Sequence, residues 1–253
     1  ARSKAFRTPE GRKKAFESLQ KYGINALVGI GGDGTFAGLN VFYEEHKVPC
    51  VCIPGTIDND LPGTDYTIGY DTATNTAVEA IDKIRDTAFS HSRLFFIEVM
   101  GRDSGQIAIN SGLAGGAVAI IIPEHEISID QLVAKLDQTA KNLKKSSLVV
   151  VAEGGKSGSA IEIAKAVNEK FSYFETKVTI LGHLQRGGTP TYFDRVLASK
   201  FGVAAVEGLL QGKNNVMVGI QGNKIVYNTF EEMAKMSPDI DHESLRISKI
   251  LAI

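Results

Sequence analysis

Two carboxylates stand two residues apart in the segment PGTIDND, Pro54 to Asp60, with the hydroxyl of Thr56 just ahead of them. Such a set can divide the labour of phosphoryl transfer: one carboxylate ties down a divalent cation or its neighbours, and the other takes a proton from an attacking hydroxyl. Asp58 is read as the base. An Asx-rich surface turn would use the same residue types, so this segment alone leaves both readings open. The segment GGDGT, Gly31 to Thr35, is a second constellation. Its glycines let backbone approach a polyphosphate, and a helix starting at about Thr35 would aim its N–H groups at the same anion. Asp33 is the only charge in the motif and suits Mg²⁺, a hard cation that prefers oxygen ligands. A tight strand-to-helix turn with an aspartate near the helix start is the plainer alternative.

Arginines embedded in glycine-rich turns form the next set, Arg102 in MGRDSG and Arg186 in HLQRGGTP. A guanidinium fork matches phosphate oxygens bidentately, and a charge-assisted bond of this kind contributes roughly 1.5–3 kcal/mol. A solvated surface arginine is the common alternative, but it does not require glycine company. Glu153 closes the apolar run SLVVVAEGG, where a buried carboxylate needs a partner such as a sugar hydroxyl. Lys141, Lys144 and Lys145 read as a solvated helix end, and His46, His91 and His125 show no ligand spacing.

The elements that must position these residues follow from periodicity. Apolar runs of strand length at 26–30, 48–53, 94–99, 117–122, 148–151, 178–181 and 216–220 alternate with helical stripes such as Ala77, Ile81, Ile84 and Ala88, or Leu132, Leu136, Ala140 and Leu143. This is the pattern of an α/β fold with parallel sheets covered on both faces. Each motif follows a predicted strand, where ligands bind in open parallel sheets. The 28 Lys+Arg against 29 Asp+Glu, with no basic block, leave no electrostatic footprint for nucleic acid or a membrane surface. Cys50 and Cys52, spaced C-V-C, read as two reduced thiols on one face of a buried strand. No apolar stretch has membrane-spanning length and the first residues lack a signal-peptide core, so a cytoplasmic protein acting on small molecules is expected.

In this order, GGDGT, PGTIDNDLPGTDYTIGYDTA, MGRDSG, a strand-end glutamate and LGHLQRGGTP resemble the bacterial-type phosphofructokinase family over nearly the whole chain. GGDGT alone is shared with other kinases; the long segment from Pro54 to Ala73 is not. The resemblance implies two Rossmann-like three-layer domains with mainly parallel sheets. Residues 1–69 with 185–235 would bind nucleotide, and residues 70–184 with 236–253 would bind sugar phosphate. It implies transfer from MgATP to the 1-hydroxyl of fructose 6-phosphate in glycolysis. Arg2 and Gly32, Asp33, Gly34 and Thr35 would lie on the nucleotide, with Mg²⁺ at Asp33. Thr56, Ile57 and Asp58 would stand at the transferring phosphoryl, and Met100, Gly101 and Arg102 at the sugar phosphate. Glu153 would take sugar hydroxyls, and His183 and Arg186 the 6-phosphate. Arg93 and Lys177 would reach that phosphate from a neighbouring subunit, implying a homotetramer. Pyrophosphate-using members carry Asp at the position of Gly34 and Lys at that of Gly55, so glycine at both implies ATP.

Three departures accompany the resemblance. Family members begin with a further strand and a GGDxPGxN loop that this sequence lacks, which implies an incomplete first sheet. Lys177 stands where many members have arginine. Val118 stands where effector-responsive members have glutamate, while Arg85, Lys144 and Lys145 match basic positions of that effector site, so altered allosteric control is expected. A kinase of another sugar phosphate and a non-catalytic binding subunit are the alternatives. Retention of Asp33, Asp58 and Asp60 speaks against the second.

Overall fold

The computed structural model describes residues 4–88, 93–141 and 146–251. Arg2, His91, Leu143, Lys144 and Lys145 lie outside the described residues. The chain divides into two compact units, the first running to Thr56 with Leu61–Ile68 and Tyr192–Pro238, the second comprising Ile57–Asp60, Gly69–Thr191 and the chain from Asp239 onward. The long return to the first unit begins at Tyr192, against the expected residue 185. The HLQRG turn stays with the second unit because the Leu181 N–H donates to the Glu98 carbonyl, extending that unit's sheet past its last strand.

The first unit contains α1 (Pro9–Lys21), β1 (Leu27–Gly31), α2 (Asp33–His46), β2 (Cys50–Thr56), α7 (Tyr192–Leu210), β8 (Val216–Gln221), β9 (Lys224–Thr229) and α8 (Phe230–Met233). The Thr8 side chain caps α1 by accepting the Gly11 N–H, and Pro9, with its fixed φ, opens the helix. The sheet order is β1-β2-β8-β9, with the short β3 (Ile68–Gly69) on β2. β1, β2 and β8 are parallel. Alternate residues of β2 go to opposite faces. Val51 and Ile53 pack with Leu197 and Phe201 of α7, while Cys50 and Cys52 pack with Phe36 and Leu39 of α2. Both cysteines are buried free thiols, as their spacing predicts. β1 forms one edge of the sheet and leaves Ile30 66% exposed.

Sequence periodicity missed β9. It returns antiparallel from β8 through a two-residue turn at Gly222 (φ 52°) and Asn223 (φ 65°), the mirror-image geometry that matches strand twist. As an edge strand with mostly exposed or half-buried positions, β9 has a weak apolar signal.

The second unit contains α3 (Tyr70–Ala88), β4 (Arg93–Val99), α4 (Gln106–Ala114), β5 (Ala119–Ile121), α5 (Ile129–Lys141), β6 (Ser146–Ala152), α6 (Ala160–Lys170), β7 (Glu175–Ile180) and α9 (His242–Leu251). Its four-stranded sheet has the order β5-β6-β4-β7, all pairs parallel. Phe95, Ile97 and Val150 pack with Ala77 and Ile81 of α3 and with Ile107 of α4. Leu94, Phe96 and Val149 pack on the other face with Leu132 and Leu136 of α5 and Ile163 of α6. A three-layer α/β architecture results in both units. No helix among the described residues is long and apolar enough to cross a membrane.

Candidate active site

In the first unit the GGDGT segment makes the turn from β1 into α2. A Cβ on Gly31 would stand 2.2 Å from the Thr35 hydroxyl oxygen, so only glycine permits this close turn. Gly32 is the N-cap, and the helix begins at Asp33, two residues earlier than the sequence predicts. Asp33, Gly34 and Thr35 therefore form the first helical turn; the Thr35 N–H donates to the Gly32 carbonyl at 2.9 Å, and the positive end of the helix dipole at this turn favours anions. β2 likewise runs three residues beyond its predicted end and carries Pro54, Gly55 and Thr56 in strand conformation. A Cβ on Gly32 would meet the Thr56 Cβ at 3.6 Å, so these two backbones lie side by side at the strand ends. The Thr56 carbonyl accepts a 2.6 Å hydrogen bond from the Thr67 hydroxyl.

Among the described residues no three His, Cys, Asp or Glu side chains gather as a metal cage. Asp33 is an exposed lone carboxylate in the first turn of α2. That arrangement fits Mg²⁺, which keeps several waters and is held by one or two carboxylates together with substrate phosphates.

In the second unit three loops stand next to one another because β6, β4 and β7 are adjacent and parallel. The loop after β4 carries Met100, Gly101 and Arg102. Gly101 has φ 148° and a Cβ there would stand 2.2 Å from the Ser104 carbonyl oxygen, while Arg102 adopts φ 56°. The loop after β6 carries Glu153, whose N–H donates to the Val99 carbonyl at 2.9 Å and whose Oε1 accepts the Arg102 N–H at 3.3 Å. The third loop is a 3₁₀ turn, Gly182–Arg186. Side chains at i and i+3 eclipse in such a turn, which puts His183 and Arg186 on one side, both exposed. Asp58, in the short segment of this unit that follows β2, is 8% exposed, and Ile57 beside it packs on the core beneath α3.

The structure does not bring Arg93 and Lys177 to these loops. Arg93 opens β4 and Lys177 is the third residue of β7, so each lies toward the amino end of its strand. At about 3.3 Å per residue, Arg93 is roughly 23 Å from Met100 along β4. The two cations share one carboxylate: Arg93 Nε binds Glu175 Oε2 at 3.0 Å and Lys177 Nζ binds Glu175 Oε1 at 2.5 Å. Lys177 and Arg93 hold the Glu175 carboxyl below the ordinary carboxylate range. The bridge is thus present above that range and lost as pH falls through the lowered value.

Sequence reasoning missed Glu175, Glu124 and Gln185. Glu124 accepts the Gly105 N–H at 2.8 Å and so anchors the far end of the MGRDSG turn. Gln185 was visible only as a motif letter, because nothing in its type separates a buried glutamine from a solvated one. The effector positions divide: Val118 is 3% exposed in the core against α5, and Arg85 binds Asp82 at 2.6 Å and the Gly115 carbonyl at 3.3 Å.

Two doubly wound units, one with a glycine-rich turn into a helix N-terminus and a carboxylate, the other with arginines and a glutamate at three adjacent strand ends, define a phosphotransferase of the α/β class. A sequence model described as phosphofructokinase matches residues 1–209. The chain belongs to the phosphofructokinase family. It is 53% identical over 253 residues to the ATP-dependent 6-phosphofructokinase 1 of Thermus thermophilus, covering 100% of this chain and 78% of that protein. It is 51% identical over 251 residues to the ATP-dependent 6-phosphofructokinase of Cytophaga hutchinsonii, covering 99% of this chain and 76% of that one. The solved phosphofructokinase of Saccharomyces cerevisiae superimposes with a TM-score of 0.88 at 35% identity, over 100% of this chain and 38% of that chain.

Proposed function

We propose that the protein transfers the γ-phosphoryl group of MgATP to the 1-hydroxyl of fructose 6-phosphate, giving fructose 1,6-bisphosphate and ADP, as a cytoplasmic glycolytic enzyme. The observation that carries this reading is the set of three adjacent loops at the ends of β6, β4 and β7. Together they offer two guanidinium groups, an imidazole and a carboxylate to one phosphorylated sugar. His183 and Arg186, on one side of their turn, grip the 6-phosphate. Glu153 spends Oε1 on the Arg102 backbone and offers Oε2 to a sugar hydroxyl. Met100 and Gly101 line the sugar phosphate, and Ile57 lies beside the reacting hydroxyl.

On the donor side, the backbone from Gly32 to Thr35 lies along the nucleotide phosphates, and Asp33 would hold Mg²⁺ with them. When bound, the ion neutralises charge on the phosphate oxygens. Asp58 accepts the proton of the 1-hydroxyl, while Thr56 and Arg102 stabilise the moving phosphoryl group. Arg2, at the start of the chain, is proposed on the nucleotide.

Arg93 opens β4 and Lys177 lies in the first half of β7, both tied to Glu175 away from these loops; they act on the 6-phosphate bound to a second copy of the chain, and the assembly is a homotetramer. Purified protein given MgATP is expected to release ADP only with fructose 6-phosphate present, and to stop when EDTA removes the divalent ion. ADP release indifferent to the sugar would overturn the reading, and faster turnover of tagatose 6-phosphate or sedoheptulose 7-phosphate would transfer it to another sugar. Lys177→Arg is expected to lower the half-saturating fructose 6-phosphate severalfold without changing the ATP requirement, since the planar fork binds phosphate at two points. An unchanged value in initial-rate assays would remove Lys177 from the site.

A further inference from the structure

The β4–β7 ladder ends with Glu98 opposite Ile180, and the Leu181 N–H still donates to the Glu98 carbonyl at 3.0 Å. Beyond that point the chain leaves sheet geometry for the 3₁₀ turn, so no β7 backbone carbonyl faces Met100. The Met100 N–H, on a residue only 6% exposed, needs another acceptor. Gln185 supplies it. Its Oε1 accepts the Met100 N–H at 3.2 Å, and its Nε2 donates to the Gly182 carbonyl at 3.1 Å. The side chain is 1% exposed, while His183 and Arg186 in the same turn are exposed.

We infer that Gln185 is a positioning residue for sugar phosphate, a side-chain amide that stands in for a missing strand carbonyl and locks the His183–Arg186 turn to the Met100–Arg102 turn. The inference rests on the proposed reading of these two turns as one sugar-phosphate site, and it adds a residue that touches neither substrate. Both hydrogen-bonding groups of the amide are committed inside the protein, so Gln185 acts through its neighbours. Two features make this anchor decisive for the ligand side chains. Met100 is followed at once by Gly101 and Arg102 with φ of 148° and 56°, a backbone path that L side chains rarely adopt and that must be held from both ends. Glu153 and Glu124 hold the later part, through the Arg102 and Gly105 N–H groups. Gln185 holds the entry. The same side chain closes its own turn through Gly182, so a shift in one loop is passed to the other.

The test is Gln185→Met, which keeps length and volume but removes the amide, alone and combined with Arg186→Ala. The half-saturating fructose 6-phosphate is expected to rise about tenfold or more while the KM for MgATP stays within twofold. In the Arg186→Ala background the further loss should shrink to less than threefold, because coupled residues are not additive. Amide hydrogen exchange in peptides spanning 100–105 and 182–187 should quicken at least tenfold, with the β4 and β6 peptides unchanged. This second readout needs no turnover, so it separates failure of the inference from failure of the proposed reaction. Parent-like exchange and kinetics would overturn the inference. Equal losses for both substrates, with faster exchange through β4 and β6, would also overturn it by showing a general structural role.

Discussion

Asp58→Asn is expected to lower kcat for sugar-dependent ADP release by about 10²–10⁴-fold, the range that a positioned proton acceptor contributes. The substitution is isosteric at a residue that is 8% exposed, so it exchanges an acceptor for an amide without opening a cavity. The fold should therefore persist, and the thermal midpoint should move little. Both substrates should still bind, because phosphate recognition is assigned to Arg102, His183 and Arg186 and to the helix start at Asp33. The effect then appears in kcat, with half-saturating fructose 6-phosphate changed only a few-fold, the signature of an interaction made in the transition state. The measurement is steady-state kinetics with a melting curve on the same preparation. A variant within fivefold of the parent kcat would remove Asp58 as the base and point to Asp60 or to solvent.

Gly34→Asp is expected to abolish most ATP use while leaving the fold intact. A Cβ at Gly34 meets no atom within 4 Å, and the residue lies in the first turn of α2, where an added carboxylate is favoured by the helix dipole. The same carboxylate faces the anion that this turn is proposed to hold. Two like charges about 4 Å apart interact by about 4 kcal/mol at an effective dielectric of 20. That corresponds to a loss on the order of 10³-fold in kcat/KM for ATP. Half-saturating fructose 6-phosphate, read on the residual activity, should hardly change. Parent-like kcat/KM for ATP would show that nucleotide phosphates do not sit at the start of α2. An unfolded variant would contradict the open space at Gly34.

The chemistry-bearing residue types were legible in the sequence because each lies in a short glycine-rich or apolar-bounded segment. MGRDSG follows β4 directly, while GGDGT and PGTIDND begin within the last residues of β1 and β2, so all three motifs mark strand ends. Boundaries were less legible. α2 starts at Asp33 and β2 extends to Thr56, because a glycine-rich stretch carries no apolar period to mark where one element stops. β9 escaped for a related reason. An edge strand is half solvated, so its alternation is diluted by polar residues, and only its pairing with β8 defines it.

The α/β class, the buried thiol pair on one strand face and the family were all readable before any contact was known. Local side-chain period and motif order carry that information along the chain. Strand order belonged to the tertiary structure. The adjacency of β6, β4 and β7 makes neighbours of Arg102, Glu153 and the His183–Arg186 turn. It also puts Arg93 at the opposite end of the sheet, tied with Lys177 to Glu175. A strand's two ends look alike to a local pattern; which end meets which loop is decided by long-range pairing and by packing on both faces of the sheet. The same holds for Gln185, which acquires its role only when the end of β4 needs an acceptor that β7 no longer provides.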